Sequence, residues 1–281
     1  METLVSTAWL SDHLDDPDLV VLDCTVNQQP EEGGGFRNVS GRAAYEKGHI
    51  PTAGFADLKG DLSDSESPIE FAVPKPEQFC AAMGALGVGD DSRVVLYDTS
   101  YSAWAARVWW MLRWVGFDNA AILDGGLNAW SAEGRPLSTS PATQPERHLT
   151  PAPRPGLIVD RDEVRESIGD VSVQLIDTLP KEFYCGEKTL YARPGHIPGA
   201  TNLCGLDLLD ETGHMRPDEE LAAMHTGDRN ARAITYCGGG ILASLSAFAM
   251  TRLGYDDVAV YTASLQEWAA DRSNPMEIDT H

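Results

Sequence analysis

The chain has 281 residues, a length at which a single core commonly gives way to two. Its 42% hydrophobic content, with 26 Gly and 17 Pro, suits folded globular domains and excludes collagen, coiled coil and disorder. Lys and Arg number 21 against 43 Asp and Glu, and the resulting charge of −22 repels nucleic-acid phosphates and anionic membrane surfaces, so neither is an expected partner.

In chain order, the apolar run Val20-Val21-Leu22 ends at Asp23 and predicts a first buried strand. Gly48-His49-Ile50-Pro51 follows, then a strand Arg93–Tyr97 reaching Asp98, then a helical-period segment from Ala103 to Val115 containing Trp104, Trp109, Trp110 and Trp114. A strand at Ala120–Leu123 and the sequence Leu127-Asn128-Ala129-Trp130 complete the first half. Six of the 17 prolines, at 136, 141, 145, 151, 153 and 155, then crowd a stretch unable to pair in a central strand or sustain a helix. Beyond it the order recurs. VQLID ends at Asp177, Gly195-His196-Ile197-Pro198 follows, ARAITYC ends at Cys237, a helical segment runs from Ala243 to Leu253, and Leu265-Gln266-Glu267-Trp268 closes the copy. The expected organisation is a domain over 1–135, a Pro-rich linker over 136–155 and a second domain over 156–281. Short apolar strands alternating with helices predict α/β domains, each with a mainly parallel sheet flanked by helices.

No apolar run reaches the roughly 18–20 residues of a membrane-spanning helix, and acids fill the start METLVSTAWLSDHLDD where an export signal is basic. A cytoplasmic location is expected. The five cysteines (24, 80, 185, 204 and 237) are widely spaced with no CxxC pair, and the histidines show no HxxxH or HExxH spacing, so no metal or disulfide framework is expected.

Chemistry concentrates at Tyr236-Cys237-Gly238-Gly239-Gly240-Ile241-Leu242. Here a strand ends in a cysteine, and three glycines lead into a helix. Glycines let successive N–H groups turn inward as an anion nest at a helix N-terminus, where a thiolate is favoured and becomes a nucleophile. The matching place in the first half holds Asp98-Thr99-Ser100-Tyr101, with neither thiol nor glycines.

The two GHIP segments, the Cys237 loop, Asp98 in the matching position and the paired Trp130 and Trp268 motifs together resemble the tandem-domain rhodanese sulfurtransferases over almost the whole chain. The resemblance implies two rhodanese-like domains, an inactive first one and a catalytic second one. Cys237 would carry sulfur as a persulfide, the backbone of Gly238, Gly239, Gly240, Ile241 and Leu242 would bind substrate, and no cofactor would be needed. The implied partners are a small-molecule sulfur donor and a thiophilic acceptor, cyanide or a thiol, with a protein as a further acceptor.

The loop Cys-Gly-Gly-Gly-Ile-Leu lacks the cation of thiosulfate-type members and the Ser/Thr of mercaptopyruvate-type ones. The serine, histidine and aspartate of the latter's relay fall on Gly239, Phe71 and Lys59, so thiosulfate is the favoured donor and 3-mercaptopyruvate the alternative. The arginine that often follows the strand end in relatives is missing from Asp177-Thr178-Leu179, whereas Arg193 matches another and is the expected clamp for the donor's anion. The repetition of His49 and His196 in a half without the nucleophile argues for structural roles. A phosphatase reading fails because no arginine follows within the Cys237 loop, and a non-catalytic sulfur-relay module remains the alternative of another class.

Overall fold

The computed structural model describes residues 1–31, 35–142 and 144–279, which form two compact units. The first comprises Met1–Ser67, Val73–Arg154 and Glu211–Met215; the second comprises Pro68–Ala72, Pro155–Asp210 and the chain from Arg216 onward. Two short segments are thus exchanged relative to the order of the chain.

The first unit runs β1 (Leu4–Val5), α1 (Thr7–His13), β2 (Leu19–Asp23), β3 (Val26–Pro30), β4 (Phe36–Ser40), α2 (Arg42–Tyr45), β5 (Gly54–Phe55), α3 (Pro76–Ala85), β6 (Arg93–Tyr97), α4 (Ala103–Trp114), β7 (Ala120–Leu123) and α5 (Gly126–Ala132). Five strands form a parallel sheet in the order β1-β7-β6-β2-β5, and β3 pairs antiparallel with β4 in a separate ribbon. Every residue of β2 and β7 is buried, because helices cover both faces of the sheet; hence the continuous rather than alternating apolar runs. Local signals set the helix starts. The Ser6 hydroxyl accepts from Trp9 N at 3.1 Å to cap α1, and Pro76 opens α3, where its missing N–H costs nothing.

The second unit runs β8 (Ile158–Val159), α6 (Arg161–Ser167), β9 (Val173–Asp177), α7 (Lys181–Tyr184), β10 (Thr201–Asn202), a 3₁₀ turn (Gly205–Leu208), α8 (Asp218–Met224), β11 (Arg232–Tyr236), α9 (Ile241–Arg252), β12 (Val258–Tyr261) and α10 (Ser264–Trp268). Its parallel sheet has the order β8-β12-β11-β9-β10, the same topology element for element. The expected α/β architecture of parallel sheets flanked by helices is therefore present in each unit.

The repeated motifs build the same struts twice. His49 stacks on Tyr45 at 3.9 Å between ring centres, with Nδ1 2.8 Å from the Tyr45 carbonyl; His196 stacks on Tyr184 at 3.8 Å, with Nδ1 2.9 Å from that carbonyl. Trp130 Nε1 donates to Pro136 O at 2.8 Å and Trp268 Nε1 to Pro275 O at 2.9 Å. These residues hold the fold of each unit. Trp104, Trp109 and Trp110 of α4 are likewise buried in the first unit.

Candidate active site

Strand β11 delivers Cys237 to the carboxyl edge of its sheet, the edge at which parallel α/β sheets place their ligands. The chain then turns through Gly238 and Gly239 into Gly240, whose φ of +79° is the left-handed conformation that glycine tolerates and that starts α9. Gly240 N donates to Cys237 Sγ at 3.1 Å, so the buried sulfur sits at the positive end of a 12-residue helix. The peptide of Cys237 is fixed from the other side: its N–H donates to Ser264 Oγ at 3.1 Å, and its carbonyl accepts from Leu265 N at 3.1 Å.

Among the described residues, the N–H groups of Gly238, Gly239, Ile241, Leu242 and Ala243 reach no protein acceptor. Gly240 N, by contrast, is engaged with Cys237 Sγ.

The first unit has the same device with its ligand built in. Ser102, at φ +57°, takes the place of Gly240 ahead of α4. The Asp98 carboxylate accepts from Ser100 N at 2.8 Å, Ser102 N at 3.1 Å, Trp104 N at 3.0 Å and Ala105 N at 3.0 Å. Burial pushes this carboxyl up and the four donors oppose the shift. The loop that lacks a thiol is therefore an anion nest already filled.

Asp177 ends β9 beside Tyr236 and accepts from Leu179 N at 2.8 Å; burial pushes its carboxyl up to about 7. Asp23 ends β2 beside Tyr97, accepts from Thr25 N at 2.9 Å and is pushed up to about 6 by the same cause. Repetition in both units makes these two carboxyls parts of the frame.

Arg193 requires a correction. Expected as the clamp for the donor's anion, its guanidinium is spent on main-chain carbonyls. Nε donates to Ala269 O at 2.9 Å, Nη1 to Asn274 O at 2.8 Å, and Nη2 to Trp268 O at 3.1 Å and Asp271 O at 2.8 Å. A guanidinium has five N–H donors in a fixed fork, and four bonds of this kind bind it into the C-terminal segment.

Two other side chains frame the Cys237 loop. Gln266 clasps the backbone of Glu70, accepting from its N–H and donating to its carbonyl, both at 3.0 Å; its Nε2 lies so close over Gly239 that a Cβ there would come within 2.6 Å. Tyr191 places its hydroxyl and Cζ where a Cβ on Gly238 would stand. Phe71, in one of the three relay positions, is buried and apolar, with φ +59°. Among the described residues no three of His, Cys, Asp and Glu are grouped to hold a metal ion, and no helix is long and apolar enough to cross a membrane.

Comparison with known proteins gives concordant matches. The Rhodanese-like domain model matches residues 6–133 and again 160–271. The 3-mercaptopyruvate sulfurtransferase of Escherichia coli K12 is 33% identical over 283 residues, covering 97% of each chain. The thiosulfate sulfurtransferase of Cricetulus griseus is 32% identical over 279 residues, covering 94% of this chain and 91% of its own. The crystal structure of the 3-mercaptopyruvate sulfotransferase SseA from Escherichia coli superposes with a TM-score of 0.83 at 32% identity, covering 94% of this chain and 99% of that one.

Proposed function

From the premise that the chain belongs to the rhodanese family and is a sulfurtransferase, we propose that it moves the sulfane sulfur of thiosulfate to cyanide or a thiol through a persulfide on Cys237. The observation that carries this reading is the 3.1 Å bond from Gly240 N to Cys237 Sγ at the head of α9, beside amide donors with no protein acceptor.

The Cys237 thiolate attacks the outer sulfur of thiosulfate. A new sulfur–sulfur bond forms as the bond to the sulfonate sulfur breaks, and its electron pair leaves with sulfite. The outer persulfide sulfur keeps one negative charge, which the amides of Gly238 to Leu242 stabilise as preorganised donors. The acceptor then attacks that outer sulfur, and the electron pair of the broken bond returns to Cys237. Sulfite leaves as a stable anion without a proton, so thiosulfate suits a chain whose three positions matching the relay hold Gly239, Phe71 and Lys59. Cleaving the carbon–sulfur bond of 3-mercaptopyruvate moves a proton onto carbon, and the relatives named for that donor keep it as the second reading.

The second domain, from residue 156, is the catalytic one; the first, over 1–135, lacks a nucleophile at Asp98. Small-molecule donor and acceptor are the partners, with no nucleic acid or membrane, and five buried cysteines without a disulfide suit a reducing cytoplasm. Intact mass before and after thiosulfate, and separately 3-mercaptopyruvate, tests the proposal with Cys237→Ser as control. One added sulfur on wild type alone establishes the persulfide and names the donor. No addition from either donor returns the chain to a relay fed by another protein.

A further inference from the structure

Tyr191 lies in the loop between α7 and the second GHIP segment, and two anchors hold that loop. Two residues before it, Thr189 Oγ1 accepts from Tyr191 N at 3.2 Å and donates to Tyr191 O at 3.0 Å. Two residues after it, the Arg193 guanidinium is fastened to the carbonyls of Trp268, Ala269, Asp271 and Asn274. Between these anchors the ring reaches the Cys237 loop, and its hydroxyl occupies the space that a Cβ on Gly238 would need. The side chain is half-buried, and its hydroxyl has no hydrogen-bond partner among the described residues. Burial and the neighbouring charges of Cys237 and Asp177 push the phenol well up, so it remains a donor at neutral pH.

We propose that Tyr191 contacts the substrate: its hydroxyl donates a hydrogen bond to the sulfur being transferred and supplies the side-chain donor that the Gly238–Leu242 loop lacks. The assignment rests on the persulfide reading. As Cys237 attacks thiosulfate, the charge left on the outer sulfur falls beside Gly238, where the phenol O–H meets it. The proton stays on the tyrosine oxygen throughout. The same bond holds the persulfide until an acceptor takes the sulfur.

Persulfide formation from thiosulfate, followed by intact mass, is compared in wild type, Tyr191→Phe and Gly238→Ala. Tyr191→Phe removes one oxygen and keeps the ring, so thermal unfolding should match wild type while the rate falls about ten- to a hundredfold, the range for a hydrogen bond to a charged group. Gly238→Ala leaves the hydroxyl intact but displaces it and should reproduce the loss. Formation at the wild-type rate in Tyr191→Phe overturns the assignment and leaves the persulfide standing. Wild type that takes no sulfur, or Cys237→Ser that does, overturns the persulfide reading and this assignment with it.

Discussion

Ser264 Oγ accepts the amide hydrogen of Cys237 at 3.1 Å and donates its own to Tyr261 O at 2.7 Å, tying the Cys237 peptide to the end of the neighbouring strand. Ser264 is fully buried and holds a φ of +53°, left-handed backbone that a non-glycine residue keeps only where its surroundings fix it. Ser264→Ala strands the Cys237 N–H without an acceptor, and urea unfolding should show a loss of about 1–3 kcal/mol. An unchanged midpoint would mean that the loop does not need this anchor.

Asp98 gives a second stability prediction. Asp98→Ala removes the acceptor of four amides, three of them buried, and the cost should be at least about 3 kcal/mol, since each buried donor left without an acceptor costs about 1–3 kcal/mol. Asp98→Asn, whose amide oxygen still accepts, should lose less. Sulfur transfer at Cys237 should survive in any Asp98 variant that stays folded, and parallel unfolding and persulfide measurements check both statements.

Arg193→Ala should lower stability by about 2–4 kcal/mol, because four carbonyls lose a charged donor at once. Arg193→Lys should behave like the alanine variant, since one ammonium cannot span four carbonyls. Retention of wild-type stability by the lysine variant, with a change in KM for thiosulfate alone, would restore the anion-clamp role.

The pH dependence of stability follows from Asp177. Its carboxyl lies at about 7 in the folded chain against an ordinary 3.8, so the folded state binds that proton more tightly than the unfolded state does. The resulting stabilisation is complete below the unfolded value and disappears as pH rises through about 7. Asp177→Asn cannot ionise and keeps an acceptor for Leu179 N, so its stability relative to wild type should rise between pH 4 and 7 by a few kcal/mol and level off above. Urea titrations at pH 4.5 and pH 8 measure the difference; a pH-independent difference removes the buried carboxyl from the account.

A net charge of −22 predicts the response to salt. Raising KCl from 0.1 M to 1 M shortens the screening length from about 10 Å to about 3 Å, which relieves self-repulsion among the exposed carboxylates. The Tm should rise by several degrees. A fall in Tm would show that exposed ion pairs such as Arg232 with Glu163 and Asp257 outweigh the repulsion.

The repeat, the parallel sheets and the strand–cysteine–helix turn are legible in the chain because each rests on local chemistry: apolar runs of strand length, glycines where the backbone turns sharply, and a helical period beyond. The helical segment expected from Ala103 to Val115 is α4, with Val115 as its C-cap. The bonds of Arg193 are not legible in the chain because its partners are main-chain carbonyls, which every residue possesses and no sequence pattern marks. The closeness of Tyr191 to Gly238 and of Gln266 to Gly239 is not legible for a related reason: it depends on loops meeting in space, although Gln266 itself lies in the repeated Leu265-Gln266-Glu267-Trp268 motif. At Asp98 the sequence revealed a missing thiol, while the structure adds the carboxylate's positive role as a bound anion.

That carboxylate is tethered one side chain away from its own receptor. A tethered ligand competes at a high effective concentration that does not depend on the dissolved donor. The four amides of the first loop are therefore already occupied, and the expectation is that this loop adds no second binding event. A titration with donor should end at one sulfur per chain, with a single-site isotherm despite two copies of the fold.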